Sequence, residues 1–240
     1  MSQASSVIVA LDFSSERDTM QLVEQLEPSL CRLKVGKELF TRCGPTLVKQ
    51  LVDRDFDVFL DLKFHDIPNT VAQACKAAAD LGVWMLNVHA LGGEKMMHAA
   101  RQALIDKKSA KYEETLLIAV TWLTSSGQSE LDALGIKSTP LEMVKRLASM
   151  SQNAGLHGVV CSAQEAPVLR ESMDEAFILV TPGIRLAGTE LSGVHKDDQC
   201  RVVTPEKAIS GGASYLVIGR PITQADDPCR VLRTINNAIG

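Results

Sequence analysis

Short runs rich in Val, Ile, Leu and Phe return along the whole chain. They begin at Val7 (VIVALD), Cys31 (CRLKVG), Phe56 (FDVFLDLK), Trp84 (WMLNVHA), Leu116 (LLIAVTWL), His157 (HGVVCS), Phe177 (FILVTP) and Tyr215 (YLVIGR). Most are apolar at consecutive positions, so strands made from them must be covered on both faces, as in a parallel sheet joined by helices. The stretches between them carry helical spacing. Pro68-Asn69-Thr70 supplies a start and cap, and Val71, Ala74, Cys75, Ala78 and Leu81 form an apolar stripe that stops at Gly82. Similar stripes run through Met20, Leu22, Val23 and Leu26, and through Leu141, Val144, Leu147 and Ala148. Eight βα repeats predict the α/β class and a single (β/α)8 TIM-type barrel. With no low-complexity linker, residues 1–240 are expected to form one domain. An open doubly wound sheet is the alternative. It would need fewer strands and a glycine-rich loop after the first, where this chain has Ala10-Leu11-Asp12-Phe13-Ser14-Ser15.

Composition narrows the function. The 240 residues carry a formal net charge of -4, without a run of like charges. Nucleic acid and anionic membranes need a dense basic face, so neither is an expected partner, and an anion must be held by a local site. No stretch approaches the roughly 20 apolar residues of a membrane helix. Met1 to Ser6 is a short polar lead-in without a signal-peptide core, so a cytoplasmic protein is expected. The six cysteines lie far apart and the five histidines form no H-E-x-x-H, which points to reduced thiols and no metal.

In a barrel of this kind the reactive face is built from the carboxyl ends of the strands. Polar residues gather there. They are Asp12, Lys34, Asp61 with Lys63, Asn87 with His89, Thr121 with Thr124, Ser162, Thr181, and Gly219-Arg220, in strand order. In the third run Val58, Leu60, Leu62 and Phe64 are apolar, while Asp57, Phe59, Asp61 and Lys63 include three charges. Period two puts Asp61 and Lys63 on one face, toward the barrel mouth, with Asp66 just beyond. Adding Lys34 gives two cations and two carboxylates in one pocket. An ion-pair plug closing the barrel is the plain alternative, but buried pairs rarely improve on apolar packing and need another reason to exist. The chemical reading is a positioned Lys63 proton donor with Asp61 held ionised beside a reacting anion. Like charges about 4 Å apart repel by about 4 kcal/mol at an effective dielectric near 20, enough to matter to a barrier. A Schiff base is disfavoured, because it needs a neutral amine and flanking carboxylates oppose one.

The seventh and eighth runs end in Thr181-Pro182-Gly183-Ile184-Arg185 and Gly219-Arg220-Pro221, where barrels commonly bind phosphate. The plain alternative is Arg220 as a rim charge paired with Asp226 or Asp227. From Gly183 to about Val203 the chain is polar and aperiodic, as expected of a lid.

Asp12 in VALD, Lys34 in LKVGKE, the block Asp61-Leu62-Lys63-Phe64-His65-Asp66-Ile67-Pro68-Asn69-Thr70, VTPGIR and VIGRP, in this order, resemble the bacterial orotidine 5'-phosphate decarboxylase family over nearly the whole chain. The resemblance implies a homodimeric barrel that converts orotidine 5'-monophosphate (OMP) to UMP and CO2 in pyrimidine synthesis, without metal or cofactor. Lys63 would then protonate C6, Asp61 would face the leaving carboxylate, and Lys34 would hold the network together. Asp66 and Thr70 would reach the partner subunit's site. Asp12 and Lys34 would meet the ribose, Thr124 or its neighbour Ser125 the pyrimidine, and Arg185, Gln199, Gly219 and Arg220 the phosphate.

A magnesium-dependent sugar-phosphate decarboxylase or aldolase of the same superfamily is the nearest alternative. Such enzymes place a metal-binding Glu on the second strand, where this chain has Lys34. A non-catalytic phosphate-binding barrel is a further alternative, which predicts loss of one of the charges, and all are present. The alanines after Thr70 and the Met96-Met97 pair suit close packing, either between subunits or against the barrel.

Overall fold

The computed structural model describes residues 5–105, 112, 114–185 and 203–240. Eight parallel strands close a barrel in sequence order: β1 Val7–Leu11, β2 Arg32–Gly36, β3 Val58–Phe64, β4 Met85–His89, β5 Leu116–Val120, β6 Gly158–Val160, β7 Ile178–Thr181 and β8 Tyr215–Ile218. β8 returns to β1 through Leu216–Val7, Val217–Ile8 and Ile218–Val9. The helices are α1 Glu16–Val23, α2 Lys37–Asp53, α3 Pro68–Ala79, α4 Glu94–Ile105, α5 Gln128–Ala133, α6 Pro140–Asn153, α7 Ala166–Arg170, α8 Pro205–Ser210, α9 Arg220–Thr223 and α10 Pro228–Ile239. No helix among the described residues is long and apolar enough to cross a membrane. The fold is the expected TIM-type barrel, and each apolar run holds a strand.

The continuous apolarity of the runs has its cause in two cores. Val7, Val9, Leu11, Leu33, Val35, Val58 and Leu60 pack outward under the helices. Ile8, Phe59, Met85, Ile118 and Val180 fill the barrel interior. At Gly158 the strands approach so closely that a Cβ would stand 2.1 Å from the Ile178 carbonyl oxygen, so only glycine fits there. Local chemistry starts the helices. Ser15 accepts the Asp18 N–H to cap α1. Thr139 and Glu142 form a reciprocal capping box on α6, and Asp227 caps α10 through the Arg230 N–H. Met96 and Met97 are buried within the chain, and α3 packs on α4, so the methionine pair belongs to the helical layer of this chain.

An ion-pair plug does exist, at the amino ends of the strands. Arg32 Nε lies 3.2 Å from Asp57 Oδ2, and Tyr112 donates to Asp57 Oδ1 at 2.6 Å. The Arg32 guanidinium sits 4.3 Å from the Trp84 ring centre and 5.0 Å from that of Tyr215, and also donates to the Ser5 carbonyl. This floor is separate from the charges at the other end of the barrel. Asp57→Ala strands a buried guanidinium and is expected to cost about 3 kcal/mol of stability in urea unfolding. Turnover per folded molecule should be unchanged.

Candidate active site

The carboxyl end of β3 is irregular. Between the pairs Leu60–Leu86 and Phe64–Val88, β3 carries Asp61, Leu62 and Lys63 where β4 carries only Asn87. Lys63 takes a φ of 52°, which few side chains other than Asn and Asp adopt without cost. Asp61 and Lys63 nevertheless line the same cavity, the face that period two predicts, while Leu62 and Phe64 pack against the outer core.

The charges form a chain. Lys63 Nζ is 2.6 Å from Asp61 Oδ1. Lys34 Nζ lies 3.6 Å from Asp61 Oδ2 and 3.1 Å from Asp12 Oδ1. Asn87 donates to Asp61 Oδ1 at 2.7 Å and accepts the Lys63 N–H at 2.8 Å. Burial pushes the Asp61 carboxyl up, but Lys34 and Lys63, with the hydrogen bonds from Lys63 and Asn87, outweigh it and hold Asp61 below the ordinary range. Asp61 is therefore a carboxylate at neutral pH. Asp12 is far more open, its side chain 71% exposed against 13% for Asp61, so the network runs from solvent into the barrel.

These residues line one end of a cavity of about 720 Å³. Ala10, Phe59, Val120, Val160, Val180 and Val217 make its apolar floor, and Trp122, Leu123 and Thr124 form one wall. Pro182 to Arg185 and Gly219 to Pro221 form another. Arg185 is fixed by its backbone, whose N–H donates to the Val203 carbonyl at 3.1 Å. One cavity therefore offers a charged end, an apolar slot and two arginines, which suits an anionic ligand with a flat apolar part.

Asp12, Lys34, Asp61, Lys63, Thr124, Arg185, Gly219 and Arg220 meet in this cavity. Its second carboxylate is Asp12, not the expected Asp66. The loop after β3 runs outward, leaving Asp66 and Thr70 exposed, and Asp66 Oδ1 accepts the Ile67 N–H at 2.7 Å. Gln199 and nearly all of the expected lid lie outside the described residues. The sequence pattern gives Asn87 no role beyond its place near a strand end. Its signal was a lone amide in an otherwise apolar run, on the inward positions that include Met85.

The rings of His65 and His89 stack 5.6 Å apart beside the network. Burial, then His65, Lys37 and Lys63, push His89 down from 6.5 to about 4. Between these values the unfolded chain binds a proton that the folded one does not, so stability falls as pH drops from about 6.5 to about 4. Urea unfolding across this range should show that slope, and His89→Gln should flatten it.

The carboxyl-end charges and the arginine-lined wall define a TIM-barrel enzyme that handles an anionic substrate. Residues 5–235 match the family described as Orotidine 5'-phosphate decarboxylase / HUMPS family, and the chain belongs to it. The orotidine 5'-phosphate decarboxylase of Haemophilus influenzae is 57% identical, over 98% of this chain and 99% of that one. That of Nitrosococcus oceani is 56% identical, over 99% and 98%. Among solved structures, an orotidine 5'-phosphate decarboxylase from Lactobacillus acidophilus superposes with a TM-score of 0.86 at 38% identity, covering 98% of both chains.

Proposed function

We propose that this chain decarboxylates OMP to UMP and CO2 in pyrimidine synthesis, in the cytoplasm and without a metal or cofactor. The observation that carries this reading is the Lys63 ammonium 2.6 Å from a half-buried Asp61 carboxylate at the mouth of a nucleotide-sized cavity. Loss of CO2 from C6 leaves an electron pair with no obvious sink in the ring, so fixed charges must do the work. With the pyrimidine in the apolar slot, Asp61 faces the substrate carboxylate and disfavours its charge. The C6–carboxylate bond breaks, the pair stays on C6, and Lys63 gives C6 a proton. The Lys63 amine then regains a proton from water. Lys34 holds Asp61 and Asp12 in register, and Asp12 and Lys34 take the ribose hydroxyls. Thr124 meets the pyrimidine edge. Gly219, Arg185 and Arg220, with Gln199, hold the phosphate, whose binding energy aligns the reacting end.

Asp66 and Thr70 complete the site of a second copy of the chain in a homodimer. Their exposure on this chain, and that of Ile67 at 67%, supports this reading.

Support for metal independence is the ammonium of Lys34 between Asp12 and Asp61, which places a cation where two carboxylates could otherwise share an ion. The test is product analysis with two substrates. OMP should yield UMP and CO2, while 3-keto-gulonate 6-phosphate with magnesium should remain unchanged. The reverse pattern would assign the chain to sugar-phosphate chemistry.

A further inference from the structure

The widened end of β3 creates a problem for its backbone. Three residues, Asp61 to Lys63, stand opposite one residue of β4, so the strand ladder cannot satisfy all of them. The Lys63 N–H in particular leaves the ladder, because its φ of 52° turns the peptide away from the extended direction. A side chain takes the place of the missing strand partner. Asn87 Oδ1 accepts that N–H at 2.8 Å, while Asn87 Nδ2 donates to Asp61 Oδ1 at 2.7 Å. The amide can sit only this way round, since a backbone N–H only donates and a carboxylate only accepts. Asn87 is fully buried, so water cannot replace either bond.

We infer that Asn87 is a positioning residue for the decarboxylation proposed above, and the inference rests on that reading. It fixes the Lys63 backbone and the Asp61 carboxylate together, through contacts that do not depend on the charge of the Lys63 amine. The ion pair between Lys63 and Asp61 weakens at the moment Lys63 gives up its proton. The two amide bonds do not, so they hold the backbone while the amine is neutral and return Nζ to the same place. The remaining hydrogen-bond partners explain why an amide stands here. Aspartate would accept the Lys63 N–H but face Asp61 with a second negative charge. Alanine would lose both bonds, and glutamine would be one methylene too long.

The test compares Asn87→Ala and Asn87→Asp with the unaltered protein in kcat, KM for OMP, folded fraction by circular dichroism, and the Asp61 titration followed by ¹³C carboxyl NMR. In Asn87→Ala, kcat should fall on the order of 10- to 100-fold, as expected for a misplaced reacting group. KM should stay within about threefold, because the arginine wall is untouched. Asp61 should titrate at higher pH than in the unaltered protein, and the acid limb of the kcat profile should move up with it. Asn87→Asp, nearly the same shape, should fold and still lose at least as much kcat. A rate within about twofold of the unaltered protein in either folded variant would overturn the inference, as would a fall in Asn87→Ala that only matches its loss of folded protein. Failure of the unaltered protein to turn over OMP would sink the proposed reaction instead. The Asp61 titration would then decide the inference by itself, with an upward movement in Asn87→Ala supporting it and an unchanged one overturning it.

Discussion

Lys63→Ala is expected to reduce kcat for OMP by roughly ten-thousand-fold, the upper end of what a positioned proton donor supplies, while UMP still binds. The substitution removes the group 2.6 Å from Asp61 that, in the proposed reaction, donates to C6 and that balances a half-buried carboxylate. Lys34 and Asn87 remain on Asp61, so that residue keeps two of its partners and the barrel should fold. What disappears is the cation beside the developing charge on C6, an interaction stronger in the transition state than in the ground state. The loss should therefore fall on kcat, with KM and the dissociation constant of UMP changed far less. Steady-state rates beside calorimetric titration with UMP would check this. A variant that keeps even a tenth of the rate would remove Lys63 from the proton-transfer step.

Mixing two inactive variants should restore activity. Asp66→Ala and Lys63→Ala each damage both sites of a symmetric dimer if Asp66 serves the neighbour's site and Lys63 its own. In a mixed dimer one site carries both lesions and the other carries neither. Random pairing of equal amounts should then give about a quarter of the unaltered rate. The physical basis is the loop after β3, which leaves Asp66 and Thr70 exposed on their own subunit. Exposed Ile67 and Leu91 lie on the two loops that the His65–His89 stack ties together, an apolar surface of the kind the proposed dimer needs. Coexpression with differently tagged chains measures the recovery, and the purified doubly tagged fraction, which holds only mixed dimers, should reach about half of the unaltered rate. No recovery would mean that Asp66 does not serve the neighbour's site, and a fully active Asp66→Ala protein would place it outside any site.

The barrel was legible because parallel strands must be buried on both faces, and runs such as LLIAV and WMLNV are written that way. The site was legible where polar residues interrupt those runs at their carboxyl ends, as at Asp12, Lys34 and Asp61. The irregularity in β3 was not. Period two placed Lys63 on the right face, but no apolar pattern marks a residue with positive φ or three residues facing one. Missing the irregularity also hid Asn87, whose two hydrogen bonds exist only because the strand widens there. Nearness in sequence puts Asp66 beside Asp61 and Lys63, but within one chain Asp66 is exposed and the open carboxylate of the network comes from β1's end, at Asp12. The floor built by Arg32, Asp57 and Tyr112 joins residues far apart along the chain, which no local spacing reveals.

In the proposed reaction, fixed protein charges alone carry out the decarboxylation. The most direct test is the rate of OMP conversion to UMP, followed by ultraviolet absorbance, with protein purified and assayed in excess EDTA and again with added magnesium. Equal, rapid turnover in both is the expected result. Turnover that vanishes in EDTA and returns with magnesium would contradict the claim and would mean that Lys34, lying between Asp12 and Asp61, does not take the place of a metal.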